Sequence, residues 1–215
     1  MVGSPNESGI EPRTLAEVFA WPAQGQHIRL NMAVDVNGGF TDASGRSSGL
    51  SSPEDRNHLK MIRSGADAIV VGAGTIRAEG WNLPRTGMLY VLSTRGNLPW
   101  ETCPDPERVT VLEGSQSVHD VVQTLATPGV QRILVEGGGS VARQFAAAQL
   151  FDDVCLTVSS EIGRPQSEAA TLALERLLDV SADSYDLVSI VPVATTPSVF
   201  TLWRRALGTH AVSAD

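Results

Sequence analysis

Two segments, 66-ADAIVVGAGTIRAEG-80 and 131-QRILVEGGGSVAR-143, share one design: an apolar run, then glycines, then a helix-forming stretch. A short apolar run bounded by turn residues reads as a buried strand, and glycines at its end allow a tight turn and close backbone approach. In open α/β sheets ligands collect beyond the carboxyl ends of the strands, where helix amides point at anions. Of the two, ILVEGGGSVAR is the better phosphate cradle. Gly137, Gly138 and Gly139 carry no obstructing side chain, and Ser140 is placed to cap the following helix. The first segment breaks the dinucleotide fingerprint: Gly72-x-Gly74 is followed by Arg77 where a third glycine belongs. The strand after it ends in Ser93, Thr94 and Arg95 instead of an acidic residue, which favours a 2′-phosphorylated cofactor over one with a free ribose hydroxyl.

Working outward, HIRLNMAV (27–34) alternates with the two-residue period of a strand, and a long Gly-rich loop follows it. Ser52-Pro53-Glu54 signals a helix start, Leu59 and Ile62 mark its apolar face, and Gly65 is its expected stop. MLYVLS (88–93) and RVTVL (108–112) repeat the strand pattern. SVHDVVQTLATPG (117–129) reads as a helix, with Val118, Val121, Val122 and Leu125 on one side. Residues 11–20 suggest a short leading helix. The tail holds VCLTVSS, YDLVSIVPV and SVFTLWRR, the last two joined by Ala194–Pro197 as an antiparallel hairpin. The whole predicts an α/β fold with a mixed, mostly parallel central sheet. Residues 1–10 are expected to be a disordered lead-in, 11–207 one domain and 208–215 a flexible tail.

Composition narrows the chemistry. Of the 16 basic residues, set against 24 acidic for a net charge of −8, Lys60 is the only lysine. A nucleic-acid partner is disfavoured, and so are mechanisms needing a lysine elsewhere. Cys103 and Cys155 with four scattered histidines form no C-x-x-C or H-x-x-x-H, so no metal site is expected. No signal segment or long apolar run is present, so the sequence predicts no membrane span and a cytoplasmic setting.

Taken together, residues 32–85, ILVEGGGS (133–140) and DDVCLTVSSEIG (152–163) resemble the pyrimidine reductase of riboflavin biosynthesis, the reductase half of the bifunctional deaminase-reductase. The likeness runs from about Ile28 to Arg204 and is greatest to stand-alone actinobacterial members. It implies a dihydrofolate-reductase-like three-layer fold, a homodimer through the C-terminal sheet region, and NADPH-dependent reduction of a ribosylamino-pyrimidine phosphate to a ribitylamino product. It places Ala33, Gly74, Thr75, Thr94, Val141, Ala142 and the turn from Gly138 against NADPH, and Ser47, Arg63, Leu83, Arg85 and Glu136 against substrate. Arg63 and Arg85 are the guanidiniums a sugar phosphate would want. Asn31 and Asn37 depart from the family's usual Lys and Asp. The candidate proton donor is Glu79, with Asp35 second. A pteridine reductase and a non-catalytic NADPH-binding module are the alternatives. No H-x-E with P-C-x-x-C occurs, so a zinc deaminase function is not expected.

Overall fold

The computed structural model describes residues 14–43, 45–114, 116–159 and 165–206. The expected lead-in at 1–10 and tail at 208–215 lie outside the described residues. Eight strands form one sheet: β1 (His27–Asp35), β2 (Ala68–Gly72), β3 (Met88–Ser93), β4 (Val109–Glu113), β5 (Arg132–Val135), β6 (Asp153–Ser159), β7 (Tyr185–Pro192) and β8 (Ser198–Arg205). Their spatial order is β4-β3-β2-β5-β1-β6-β8-β7. The first six run parallel, and β8 and β7 close the sheet as an antiparallel hairpin. Six helices accompany it: α1 (Leu15–Val18), α2 (Pro53–Ser64), α3 (Ala73–Glu79), α4 (Val118–Leu125), α5 (Gly139–Ala147) and α6 (Gln166–Leu178).

The alternation of β1 sorts its side chains between two cores. Ile28, Leu30, Met32 and Val34 join buried residues of α4, α5 and α6 on one face. His27, Arg29, Asn31 and Ala33 point to the other face, where α1, α2 and α3 pack through Phe19, Ile62 and Ile76. An alternating strand ordinarily keeps its polar face wet. Here that face is covered, and His27, Arg29 and Asn31 are buried.

At the amino end of this face the charges are answered within the chain. Arg29 and Asp153, both with fully buried side chains, pair at 2.8 Å. Arg29 also donates to the carbonyls of Phe19 at 2.7 Å and Ala20 at 3.1 Å, and its guanidinium lies 4.3 Å from the Trp21 ring centre. Its Nε–H has no partner among the described residues. His27 Nε2 lies 2.9 Å from Asp153. Burial pushes the Asp153 carboxyl up, but hydrogen bonds from His27 and Arg29 and the Arg29 charge hold it well below the usual carboxylate range.

Local signals act as expected at the helix ends. Ser52 caps α2 by accepting from the Asp55 N–H at 3.1 Å, and Ser117 closes a capping box with Asp120 on α4. Gly65 does end α2, yet with φ −98°. Its need for glycine is steric, because a Cβ there would meet Trp21 Cδ1 at 2.3 Å.

Two expectations need correction. The α6 crossover is absent from the strand-rich reading of the tail; it lies on β6, β1 and α5 and buries Ala169, Ala173, Leu174 and Leu177. Apolar Val199, Phe200, Leu202 and Trp203 of SVFTLWRR, which on a strand at the end of the sheet need cover from a partner or from the chain's own helices, are buried because β8 sits inside the sheet between β6 and β7. The edge is β7, with Leu187 and Val188 exposed.

Candidate active site

Three strand ends converge on one cavity of about 410 Å³, on the α2 and α3 face of the sheet. β2 runs straight into α3 and β5 into α5, and the two turns are tied together. Gly72 N–H donates to the Gly137 carbonyl at 2.8 Å, and Gly138 N–H donates to Thr75 Oγ1 at 3.0 Å. Gly137 has φ +108°, which a side chain would strain. A Cβ on Gly139 would strike the Phe40 ring at 2.4 Å, so that turn has no room for another residue.

Gly74, Thr75, Gly138, Gly139, Ser140, Val141 and Ala33 all line the cavity. A Cβ built on Gly74 meets nothing within 4 Å, so its backbone faces open space. No side chain caps α5, whose N-cap is Gly138. Val141 N–H turns back to the Gly138 carbonyl at 2.9 Å, which leaves the Gly139 and Ser140 amides of the first turn to meet an anion, and the turn fits the pyrophosphate of a nicotinamide dinucleotide. The expected cap by Ser140 is not formed: Ser140 lies inside the first turn, and its hydroxyl accepts from Gln144 Nε2 at 3.2 Å. Ala142 is fully buried in the core, and Gly137 is a buried backbone hinge; neither lines the cavity. Ser93, Thr94 and Arg95 stand one strand away, past the end of β3. The Ser93 hydroxyl there accepts from Gly96 N–H at 3.0 Å, while Thr94 and Arg95 are exposed.

On the substrate side, Arg63 and Glu136 find each other. Arg63 Nε donates to Glu136 Oε1 at 2.6 Å and Nη2 to Oε2, a two-point pair with side chains 13% and 8% exposed. Its Nη1 donates to the Asn82 carbonyl at 3.3 Å. Both residues line the cavity, with the Arg63 charge matched by Glu136 within the chain. Arg85 is exposed beyond the cavity lining, and Leu83 packs against the α1–α3 core. Glu79 lines the cavity, and its Oε1 accepts the Ser47 N–H at 3.0 Å, so it also holds the loop after β1. Asp35 does not line the cavity: its Oδ1 accepts the N–H groups of Asn37 at 2.7 Å and Gly39 at 2.9 Å, bracing the turn. Asn37 accepts from Arg176 on α6.

Two cavity residues escape the sequence reading as site residues. Asp55 is 5% exposed and lines the cavity while accepting the hydroxyls of Ser51 and Thr157. In the sequence it looks like an ordinary acidic residue in a capped first turn. Asn31 is 6% exposed and also lines the cavity, and its Oδ1 has no hydrogen-bond partner among the described residues. In the sequence it shows as a polar residue of the alternating β1 pattern and as a departure from the family's usual Lys. Among the described residues no cluster of three or more His, Cys, Asp or Glu could hold a metal ion. No helix among them is long and apolar enough to cross a membrane.

Fold and site together define an α/β protein of dihydrofolate-reductase-like architecture, with a nucleotide-type cleft at the carboxyl ends of parallel strands. The chain belongs to the RibD C-terminal domain family, whose model matches residues 26–163. It is 31% identical over 188 residues to the riboflavin biosynthesis protein RibD of Chlamydia pneumoniae, covering 70% of this chain and 50% of that protein. The chain thus spans about half the length of that relative. It is 26% identical over 200 residues to the 2,5-diamino-6-ribosylamino-4(3H)-pyrimidinone 5′-phosphate reductase of Methanothermobacter thermautotrophicus, covering 75% of this chain and 89% of that one. A pyrimidine reductase-like protein from Corynebacterium diphtheriae shares the fold, with a TM-score of 0.64 at 21% identity over 85% of this chain and 93% of that one.

Proposed function

We propose that this chain is an NADPH-dependent reductase that converts a ribosylamino-pyrimidine 5′-phosphate to its ribitylamino product. The observation that carries the reading is the joining of two glycine turns over one cavity that also holds Glu79, in a chain of the RibD C-terminal domain family.

NADPH, when bound, supplies a hydride. In the open form of the sugar the C1′–N bond is an imine; hydride adds to C1′ and a proton reaches the nitrogen, giving the saturated ribitylamine. Ala33, Gly74, Thr75 and the Gly138–Val141 turn would hold the cofactor, and Ser93, Thr94 and Arg95 are the residues proposed for its 2′-phosphate. Glu79 is the proposed proton donor, since among the two carboxylates considered it alone lines the cavity. Asp35 serves the turn. Ser47, whose N–H is held by Glu79, is the proposed substrate contact of the loop after β1. The Arg63–Glu136 pair stiffens the wall between α2 and β5, and Arg85, exposed on the adjoining loop, is the proposed cation for the phosphate.

The test is oxidation of NADPH by the purified chain in the presence of the ribosylamino-pyrimidine phosphate, with the ribitylamino product identified by mass. Saturable turnover is expected; NADPH binding without turnover would leave a binding module instead. Arg95→Ala should weaken NADPH far more than NADH, and an equal loss would remove the 2′-phosphate assignment. A cytoplasmic homodimer is part of the proposal, the exposed Leu187 and Val188 on the β7 edge being its support. A monomer in sedimentation would remove the dimer.

A further inference from the structure

We infer that Asp55 selects a 2-amino-4-oxopyrimidine ring over a uracil ring, resting on the proposal that this cavity binds a ribosylamino-pyrimidine phosphate.

Asp55 stands on the first turn of α2 above the β1–β6 pair. Its Oδ1 accepts from Thr157, the direct register partner of Ala33, and Ala33 and Asn31 form the cavity floor on that face. Its Oδ2 accepts from Ser51. A carboxylate oxygen can accept two hydrogen bonds, and each Asp55 oxygen takes one from a hydroxyl while the residue lines the cavity. The nearby Asn31 adds a third acceptor, the buried Oδ1 without a partner. A buried acceptor left empty is costly, so a wall built from acceptors favours a ligand edge built from donors.

The two candidate rings differ at that edge. A 2-amino-4-oxopyrimidine presents a ring N–H beside an exocyclic NH₂, two parallel donors that match the two oxygens of a carboxylate. A uracil presents a carbonyl at C2, an acceptor facing an acceptor. Sites that hydrogen-bond a substrate group reject analogues lacking it strongly, because buried partners are left unpaired. The other carboxylates of the cavity do not compete for this role. Glu136 is matched by Arg63, and Glu79 is exposed and holds the Ser47 loop. Asn31, by accepting one further N–H of the ring substituents, works in the same direction.

The experiment compares two ribosylamino-pyrimidine phosphates that differ only in bearing 2-amino or 2-oxo at C2, with NADPH. The wild-type chain should favour the 2-amino compound in kcat/KM by on the order of 10²-fold. Asp55→Asn exchanges two acceptors for an acceptor and a donor, the complement of the uracil imide edge. The variant should lose on the order of 10²-fold toward the 2-amino compound, gain toward the 2-oxo compound and so invert the preference. Equal or greater wild-type activity on the 2-oxo compound overturns the inference while leaving the reductase proposal standing. If neither compound turns over, the reductase proposal fails, and calorimetry with the free bases 2,6-diaminopyrimidin-4-one and 6-aminouracil decides ring selection separately. Tighter binding of the diamino base upholds it and equal binding overturns it. The same wild-type comparison decides the matter if Asp55→Asn does not fold.

Discussion

The two ends of β1 bury polar side chains on the same face of the sheet and use them in opposite ways. At the amino end Arg29 meets Asp153 and two main-chain carbonyls, and nothing from outside is needed to answer its charge. Two residues on, Asn31 is equally buried but keeps an unpartnered oxygen at a cavity. α2 repeats the contrast within one turn. His58 is sandwiched between Phe19 and Phe200, with burial and then the Arg29 charge pulling its pKa down to about 4, whereas Asp55 faces the cavity. Burial of a polar group therefore does not mark function by itself. What separates the two ends is that Arg29 and Asp153 answer each other's charge inside the fold, while Asn31 stands at the cavity.

Breaking the closed end should produce the largest loss. Arg29→Met leaves Asp153 buried without its main counter-charge, and removing one member of a buried pair costs about 3–5 kcal/mol. Thermal denaturation should show a fall of about 10 °C, at 2–4 °C per kcal/mol for a chain of this size, with NADPH affinity of the folded protein retained. A Tm within about 2 °C of wild type would show that the charges do not hold this end.

Next comes pH. His58 is held neutral in the folded chain, while in the unfolded chain it titrates near its ordinary 6.5. Between pH 6.5 and about 4 the unfolded state binds the extra proton, so stability is complete above that window and declines as pH falls through it. The loss reaches about 3 kcal/mol, since one pKa unit is worth 1.36 kcal/mol. His58→Phe should flatten the pH dependence of Tm in this window, and an unchanged slope would refute the assignment.

At the open end the effects belong to chemistry. Glu79→Gln should lower kcat by about 10²-fold, the usual contribution of a positioned acid, with little change in Tm. An unaltered rate across pH would exclude Glu79 as proton donor. The smallest effect sharpens the contrast most: Asn31→Leu should leave stability within about 1 kcal/mol of wild type or improve it, because an unsatisfied acceptor is removed. Its KM for the pyrimidine should rise while Tm does not fall. A destabilisation matching that of Arg29→Met would place Asn31 in the closed class.

Much of this was legible from residue order. Ser52-Pro53 and Ser117 with Asp120 announce their helices because capping is local chemistry, and the 137–139 turn announces itself because Gly137 has a positive φ and Gly139 has no room for a side chain. The hairpin of β7 and β8 follows from two strand patterns around a short turn. Strand order is a tertiary fact, so β8 was legible as a strand but not as an interior one, and the cover over Trp203 could not be assigned. The helix α6 hides in QSEAATLALERLL because half of its buried stripe, Ala169, Ala170 and Ala173, is alanine, a weak apolar signal despite strong helix propensity. Asp55 is hidden for another reason: its partner Thr157 lies 102 residues away, and no local pattern distinguishes it from a helix-dipole carboxylate. Arg63 and Glu136, read as separate substrate contacts, are 73 residues apart and turn out to answer each other.

The most direct measurement is backbone deuterium exchange with and without NADPH. Slowed exchange is expected at residues 72–76 and 138–142, where the two glycine turns meet, with no change at 19–29 around the closed end of β1. Protection confined to other parts of the chain, or none at saturating NADPH, would contradict the placement of the cofactor and the division between the two ends.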